Sequence, residues 1–184
     1  MLAFPIEGML PFFWVAQEGV QKRARSDRVP YPARIEGKLI EATDGAVIDF
    51  DVIRARINAL SEVYRIREVA VDRWNATQLA TQLTGDGFEV FAFGQGFAST
   101  TGPAKDLERR IFGRTVNHAG NPVLRWMAAN VAVEMDAAGN IKPSKARSTE
   151  RIDGIVAALM ALGRVISNQE TGPDRYASEG FAFV

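Results

Sequence analysis

The stretch Arg67-Glu68-Val69-Ala70-Val71-Asp72, then Asn75–Leu83, then Phe88-Glu89-Val90-Phe91-Ala92-Phe93, decides the fold class. The outer segments are short β-branched or aromatic runs, which favour strands. The segment between them reads as a helix that ends at Gly85. Strand, helix, strand in that order marks an α/β layer with at least part of its sheet parallel.

Upstream, Lys38–Thr43 and Ala46–Phe50 flank Asp44-Gly45, a strong turn dipeptide, and so read as a hairpin. Asp49 or Asp51 is placed to cap a helix over Val52–Tyr64, where Ile53, Ile57, Leu60 and Tyr64 recur at helical spacing. Lys22–Arg34 is basic and broken by Pro30 and Pro32, which predicts an exposed loop or a short helix. Residues 9–15 are aromatic and β-branched, as in a strand or its edge.

Downstream, Gly94-Gln95-Gly96 is a loop, and Pro103 opens a helix that runs to Phe112 and stops at Gly113. Pro122–Asn130 reads as another helix. Val131–Met135 and Asn140–Lys142 form a second hairpin around Ala137-Ala138-Gly139. The last helix is expected from Ser148/Thr149 to about Ile166, with Ile152, Ile155, Val156 and Leu159 on its apolar face. The hairpins make the expected sheet mixed. The organisation is one domain over residues 1–166 and a tail over 167–184, in which Phe181 and Phe183 are apolar.

Composition removes whole classes of chemistry. The 184 residues contain no cysteine and one histidine, so disulfides, thiolate zinc sites and multi-histidine centres are excluded within the chain. A metal would sit mainly on carboxylates, which suits Mg²⁺ or Mn²⁺. Lysine plus arginine equals aspartate plus glutamate at 22 each, but residues 101–151 hold nine basic and five acidic side chains. That local excess suits either a solvated face or contact with a polyanion. No apolar run approaches the roughly 18 residues of a membrane span, and the amino terminus lacks a secretion signal, so the cytosol is the expected compartment. There is no phosphate-binding P-loop, no complete dinucleotide fingerprint and no serine-nucleophile elbow.

Two carboxylates stand out. Asp72 lies at the carboxyl end of a strand, where open α/β sheets bind ligands, yet it could equally cap the following helix. Asp153 lies in the first turn of the last helix, where the helix dipole favours it. Its neighbours Ile152, Ile155 and Val156 are apolar, and a carboxylate buried among them would need a cation or a partner. Lys142, Lys145, Arg147 and Arg151 form a basic cluster just before it, either a solvated loop or a phosphate-backbone contact. His118, Asn121 and Arg125 share a loop with Gly120, where a lone histidine is more often hydrogen-bonded than catalytic.

Six blocks in order then carry a resemblance. They are Leu10-Pro11-Phe12-Phe13-Trp14, Val71-Asp72-Arg73-Trp74-Asn75-Ala76-Thr77-Gln78-Leu79 and Phe93-Gly94-Gln95-Gly96-Phe97. They continue with His118-Ala119-Gly120-Asn121-Pro122-Val123-Leu124-Arg125-Trp126-Met127, Ile141-Lys142-Pro143-Ser144-Lys145 and Ile152-Asp153-Gly154-Ile155-Val156-Ala157. Over roughly residues 8–166 the chain resembles the carboxyl-terminal nuclease domain of the large terminase subunit of tailed bacteriophages, from a phage or a prophage. The resemblance implies an RNase H-like fold, a mixed sheet flanked by helices, that cuts double-stranded DNA during genome packaging with Mg²⁺ or Mn²⁺. It makes Asp72 and Asp153 the metal-binding and catalytic carboxylates. Lys145 and Arg147 would approach the scissile phosphate, and His118, Asn121 and Arg125 would shape the site or contact DNA.

The family carries a further acidic ligand on a first core strand, and a motor domain upstream of it. Neither is found before Asp27, so the chain resembles an amino-terminally truncated terminase. Two carboxylates alone imply weak or no cutting, and a missing strand implies an exposed sheet edge that invites oligomerisation. The family also implies a small terminase subunit and a portal as partners. The rival readings are a non-catalytic remnant serving as an interaction module, and an enzyme acting on RNA–DNA hybrids.

Overall fold

The structure is a computed structural model that describes residues 1–3, 8–27, 29–74 and 76–170. The tail from residue 171, with Phe181 and Phe183, and Asn75 lie outside the described residues.

Two parallel strand pairs form the centre. β1 (Leu2–Ala3) and β2 (Met9–Leu10) pair antiparallel at the start of the chain. β3 (Trp14–Ala16) then leads through α1 (Val20–Ser26) and α2 (Tyr31–Glu36) to β4 (Glu41–Thr43), which pairs with it in parallel. After α3 (Phe50–Ser61), β5 (Val69–Asp72) crosses through α4 (Thr77–Gly85) to its parallel partner β6 (Val90–Phe93). Parallel neighbours need such a crossover, because a tight turn can join only antiparallel strands. α5 (Phe97–Phe112) and α6 (Pro122–Asn130) follow. The antiparallel hairpin of β7 (Val133–Met135) and β8 (Ile141–Pro143) then precedes the long α7 (Asp153–Glu170).

α7 is the spine of the core. On one side Ile155, Ala158, Leu159 and Leu162 join Val123, Leu124 and Met127 of α6 and Leu107 of α5 in one buried cluster with Val15, Val20 and Ile40. On the other side Val156 and Met160 join Phe93 and, from just ahead of the helix, Ile152. A helix buried on two faces must let its neighbours close, and two glycines do this. A methyl on Gly154 would lie 2.8 Å from both Met127 Sδ and Phe13 Cε1. One on Gly163 would lie 2.8 Å from the Phe93 ring and 3.0 Å from Pro103 Cγ.

Four expectations are corrected. Asp44-Gly45 does turn, with Gly45 at φ +90°, but no hairpin forms there. Its first arm pairs instead with β3, far upstream, and its second runs into α3, which Asp49 caps by accepting the Asp51 N–H at 2.8 Å. α5 begins six residues before Pro103 and carries it inside, where the ring packs against Gly163. At the seventh helical position a proline has no N–H for the Ser99 carbonyl, so α5 carries it at the cost of one ladder bond. The last helix begins at Asp153 rather than at Ser148, whose hydroxyl is taken by the Ala132 N–H and the Ser144 carbonyl. Finally, the described strands form four separate two-stranded sheets rather than one continuous sheet.

Candidate functional site

Asp72 closes β5, and its register partner Phe93 closes β6. Parallel strands in register end together, so the residues that follow them meet. Gln95 Nε2 therefore donates to Asp72 Oδ2 at 2.7 Å. Oδ1 accepts the Trp74 N–H at 3.2 Å, a local turn that orients the carboxylate. This corrects the helix-cap alternative, since the N-cap of α4 is Ala76 and has no side-chain bond. The Trp74 side chain beside this turn is 81% exposed.

Asp153 opens α7. Its apolar neighbours Ile152, Gly154 and Ile155 are buried, but its own side chain is 60% exposed, so it is not the buried carboxylate its neighbours suggested. Its Oδ1 lies 2.9 Å from Lys145 Nζ, and this pair faces solvent. The loop that carries Lys145 is held firmly. Ser144 is buried, and its hydroxyl donates to Glu134 and accepts the Arg147 N–H at 3.3 Å. The Ser144 bond is the chief reason the Glu134 carboxyl stays below its ordinary range, with Lys142 adding to it.

Two sets of contacts tie β5 to α7 and the β7–β8 hairpin to α5. Glu68, just before β5, pairs with Arg164 of α7 at 2.5 Å, while Ala70 packs against the cluster of Val156, Met160 and Ile152. The strand therefore runs against the helix from its later turns toward its first. Four strand residues from Glu68 to Asp72 cover about 13 Å. Eleven helical residues from Arg164 back to Asp153 cover about 16 Å. In addition, Lys142 Nζ pairs with Glu134 at 3.2 Å and sits 4.9 Å over the Phe97 ring. Thr101 Oγ1 both accepts the Ile141 N–H and donates to the Ile141 carbonyl, each at 3.1 Å. The hairpin is thus tied to the first turns of α5, which begins two residues after Gln95.

His118, Asn121 and Arg125 gather elsewhere. Asn121 caps α6 by accepting the Val123 and Leu124 N–H groups, both at 3.0 Å. Arg125 Nη2 reaches back to the Gly120 carbonyl at 3.4 Å. His118 Nδ1 is buried with no hydrogen-bond partner among the described residues. These residues mark the start of α6, whereas its other end meets the approach to Asp153 through Asn130 Nδ2 and the Arg151 carbonyl at 3.4 Å. Nine helical residues separate the two ends, about 13 Å.

Sequence reasoning passed over Gln95 and Trp74 as site residues. The signal for Gln95 was present: it stands two residues after a strand whose parallel partner ends in Asp72.

Asp72 and Asp153 supply hard carboxylate oxygens of the kind Mg²⁺ and Mn²⁺ prefer, and Mg²⁺ commonly binds through one or two carboxylates while keeping waters. No group of three or more acidic or histidine side chains comes together among the described residues. The described residues therefore offer no cluster of the kind that holds two ions.

Asp72 thus ends a parallel strand pair, and Asp153 opens the spine helix. Residues 8–169 match the family model of the terminase large subunit, endonuclease domain, and the chain belongs to that family. It is 37% identical over 158 residues to the terminase large subunit of Enterobacteria phage HK97, covering 84% of this chain and 31% of that protein. It is 29% identical over 181 residues to Protein YmfN of Escherichia coli K12, covering 92% of this chain and 39% of that one. The crystal structure of the HK97 large terminase superimposes with a TM-score of 0.79 at 34% identity, covering 85% of this chain and 33% of the other. The RNase H-like mixed α/β class expected from the sequence is the fold observed. The chain spans about a third of the length of the relatives it matches.

Proposed function

We propose that this chain is a metal-dependent endonuclease domain that cuts double-stranded DNA in phage genome packaging. The observation that supports the reading is the pairing of Asp153 with Lys145, beside the position of Asp72 at the end of β5. Asp72 and Asp153 hold one Mg²⁺ or Mn²⁺. When bound, such an ion neutralises developing phosphate charge and makes water a better nucleophile. Gln95 keeps one Asp72 oxygen oriented, which fixes the direction of its remaining lone pairs. Lys145 is drawn to the same place by Asp153 and offers its ammonium to a phosphate oxygen. Arg147 and Lys142 extend this cationic edge along the backbone, which positions DNA without reading its sequence. Trp74 presents an exposed indole beside Asp72 for stacking on a base.

With two carboxylates the activity is low, because the usual two-ion stabilisation of attacking and leaving oxygens is incomplete. The small terminase subunit and the portal are the partners this reading requires, in the host cytoplasm. No helix among the described residues is long and apolar enough to cross a membrane. His118, Asn121 and Arg125 support the start of α6, where Arg125 is the one placed to meet DNA at a distance from the cut.

The test is nicking of supercoiled plasmid by the purified chain in Mn²⁺. Slow nicking that Asp72→Asn and Asp153→Asn each abolish supports the reading. Nicking that survives both substitutions sinks it. Calorimetric Mn²⁺ binding lost in the same variants separates a metal site from a contaminating enzyme.

A further inference from the structure

We infer that Ser144 and Glu134 are positioning residues for the cutting reaction: together they fix the point from which Lys145 meets the phosphate. The inference rests on the role given to Lys145 in the proposed function. Lys145 and Asp153 pair at 2.9 Å, but their side chains are 57% and 60% exposed. An ion pair that open to water imposes little order of its own. A lysine side chain also gives up much rotamer freedom when it is held. Whatever places Lys145 must therefore act on its backbone, and the residue before it does.

Ser144 is 3% exposed, and every hydrogen-bonding group it owns is used. Its N–H donates to the Ala132 carbonyl at 2.9 Å. Its carbonyl accepts the Ser148 N–H at 3.0 Å and the Ser148 hydroxyl at 2.6 Å. Its own hydroxyl donates to Glu134 and accepts the Arg147 N–H at 3.3 Å. Residues 144–148 are thereby closed into one turn on Ser144, with Lys145 inside it. The bond from hydroxyl to carboxylate is charge-assisted, and so stronger than a neutral one. Glu134 anchors it from β7. It lies opposite Lys142 in the hairpin register, and its other oxygen is 3.2 Å from Lys142 Nζ. One carboxylate thus sets two cations, Lys142 directly and Lys145 through Ser144. Its oxygens are engaged by these two donors, so it acts as a support and not as a metal ligand. The far end of the segment is held as well. Asn130, closing α6, accepts the Thr149 N–H on its carbonyl at 3.3 Å and donates its side-chain amide to the Arg151 carbonyl at 3.4 Å. Lys145 and Asp153 therefore stand at two held ends of one short stretch.

The test compares the full chain with Ser144→Ala, Glu134→Gln, Lys145→Gln and the double variant of Ser144→Ala with Lys145→Gln. Amide exchange at Arg147, read without metal, reports the turn. It is expected to quicken about tenfold or more in Ser144→Ala, and to stay near wild type in Glu134→Gln, whose side-chain oxygen still accepts the hydroxyl. Plasmid nicking in Mn²⁺ at saturating DNA is expected to fall about tenfold or more in Ser144→Ala, with the half-saturating DNA concentration and the calorimetric Mn²⁺ affinity within about twofold of wild type. Glu134→Gln keeps most of the rate, the opposite of what the same exchange does to a metal ligand. On top of Lys145→Gln, Ser144→Ala slows nicking no further, because one residue acts through the other. A general loss of stability would slow both backgrounds alike. Should Ser144→Ala not fold, Glu134→Ala removes the same bond from its partly exposed side and carries the same expectations. Wild-type rates in Ser144→Ala, loss of Mn²⁺ binding in Glu134→Gln, or a further fall in the double variant each overturn this inference alone. A wild-type chain that neither nicks nor binds Mn²⁺ sinks the nuclease reading, and this inference with it.

Discussion

Gln95 shows how a neutral side chain can matter to a charged one. Its amide donates to Asp72 while the Trp74 N–H holds the other oxygen, so the carboxylate is aimed before anything binds it. Replacing Gln95 by alanine frees the carboxylate to rotate and leaves the strand pairing intact. Groups that orient a metal-binding side chain typically change affinity or activity by 10–100-fold. Gln95→Ala is expected to weaken Mn²⁺ binding by about 10-fold, measured by calorimetry, with an unchanged Tm. Asp72, Asp153 and Lys145 were each singled out by position and type, and the Lys145–Asp153 pair follows from their closeness in the chain. The solvent exposure of Asp153 was not readable, because its neighbours are buried and only the direction of its own Cα–Cβ bond decides. Asn121 was read as shaping the site or contacting DNA; its oxygen caps α6 by accepting two helix N–H groups.

At the scale of elements, the crossing of α5 and α7 depends on the missing side chain at Gly163. Alanine there gains roughly 1 kcal/mol in helix propensity. It also drives a methyl to 2.8 Å from the buried Phe93 ring and 3.0 Å from Pro103, neither of which is the loose end of a flexible chain. Overpacking of this kind costs about 1–3 kcal/mol. Gly163→Ala is therefore expected to destabilise by about 1 kcal/mol net, seen as a lower urea midpoint with little change in slope. Elements set by local chemistry were legible: the α3 cap, narrowed to Asp49 or Asp51, the α6 helix and the β7–β8 hairpin. Those set by distant partners were not. Glu41–Thr43 pairs with a strand nearly thirty residues upstream, which no turn dipeptide can announce. The early start of α5 is likewise a packing result, with Thr100 and Pro103 buried against the rest of the fold.

Across the whole molecule, α3 is fastened mainly by polar bonds. Asp86 accepts from Arg54 Nε at 2.7 Å and from Asn58 Nδ2 at 2.9 Å, and Gln82 Nε2 donates to Asp51 at 3.0 Å. Bonding to Arg54, then to Asn58, holds the Asp86 carboxyl down at about 2, below the ordinary 3.8. A carboxyl depressed in the folded state adds stability above its unfolded value and loses it as pH falls through the folded one. α3 is expected to loosen between about pH 4 and pH 2, seen as faster amide exchange in residues 50–61 before global unfolding. Asp86→Asn should show that faster exchange already at neutral pH and lose the pH dependence in this window. The overall class was legible because the strand–helix–strand alternation is local. The division into four strand pairs was not, because it depends on which edges find partners.

The contact between Met127 and the first turn of α7 carries a consequence for chemical damage. The Gly154 N–H points at Met127 Sδ from 3.1 Å, in a space that admits no added methyl. A sulfoxide is larger, polar and chiral, and it disrupts the apolar surroundings in which a thioether sits. Peroxide that reached this sulfur would push against the turn that presents Asp153, so oxidative ageing would blunt the site from behind while leaving its carboxylates chemically untouched.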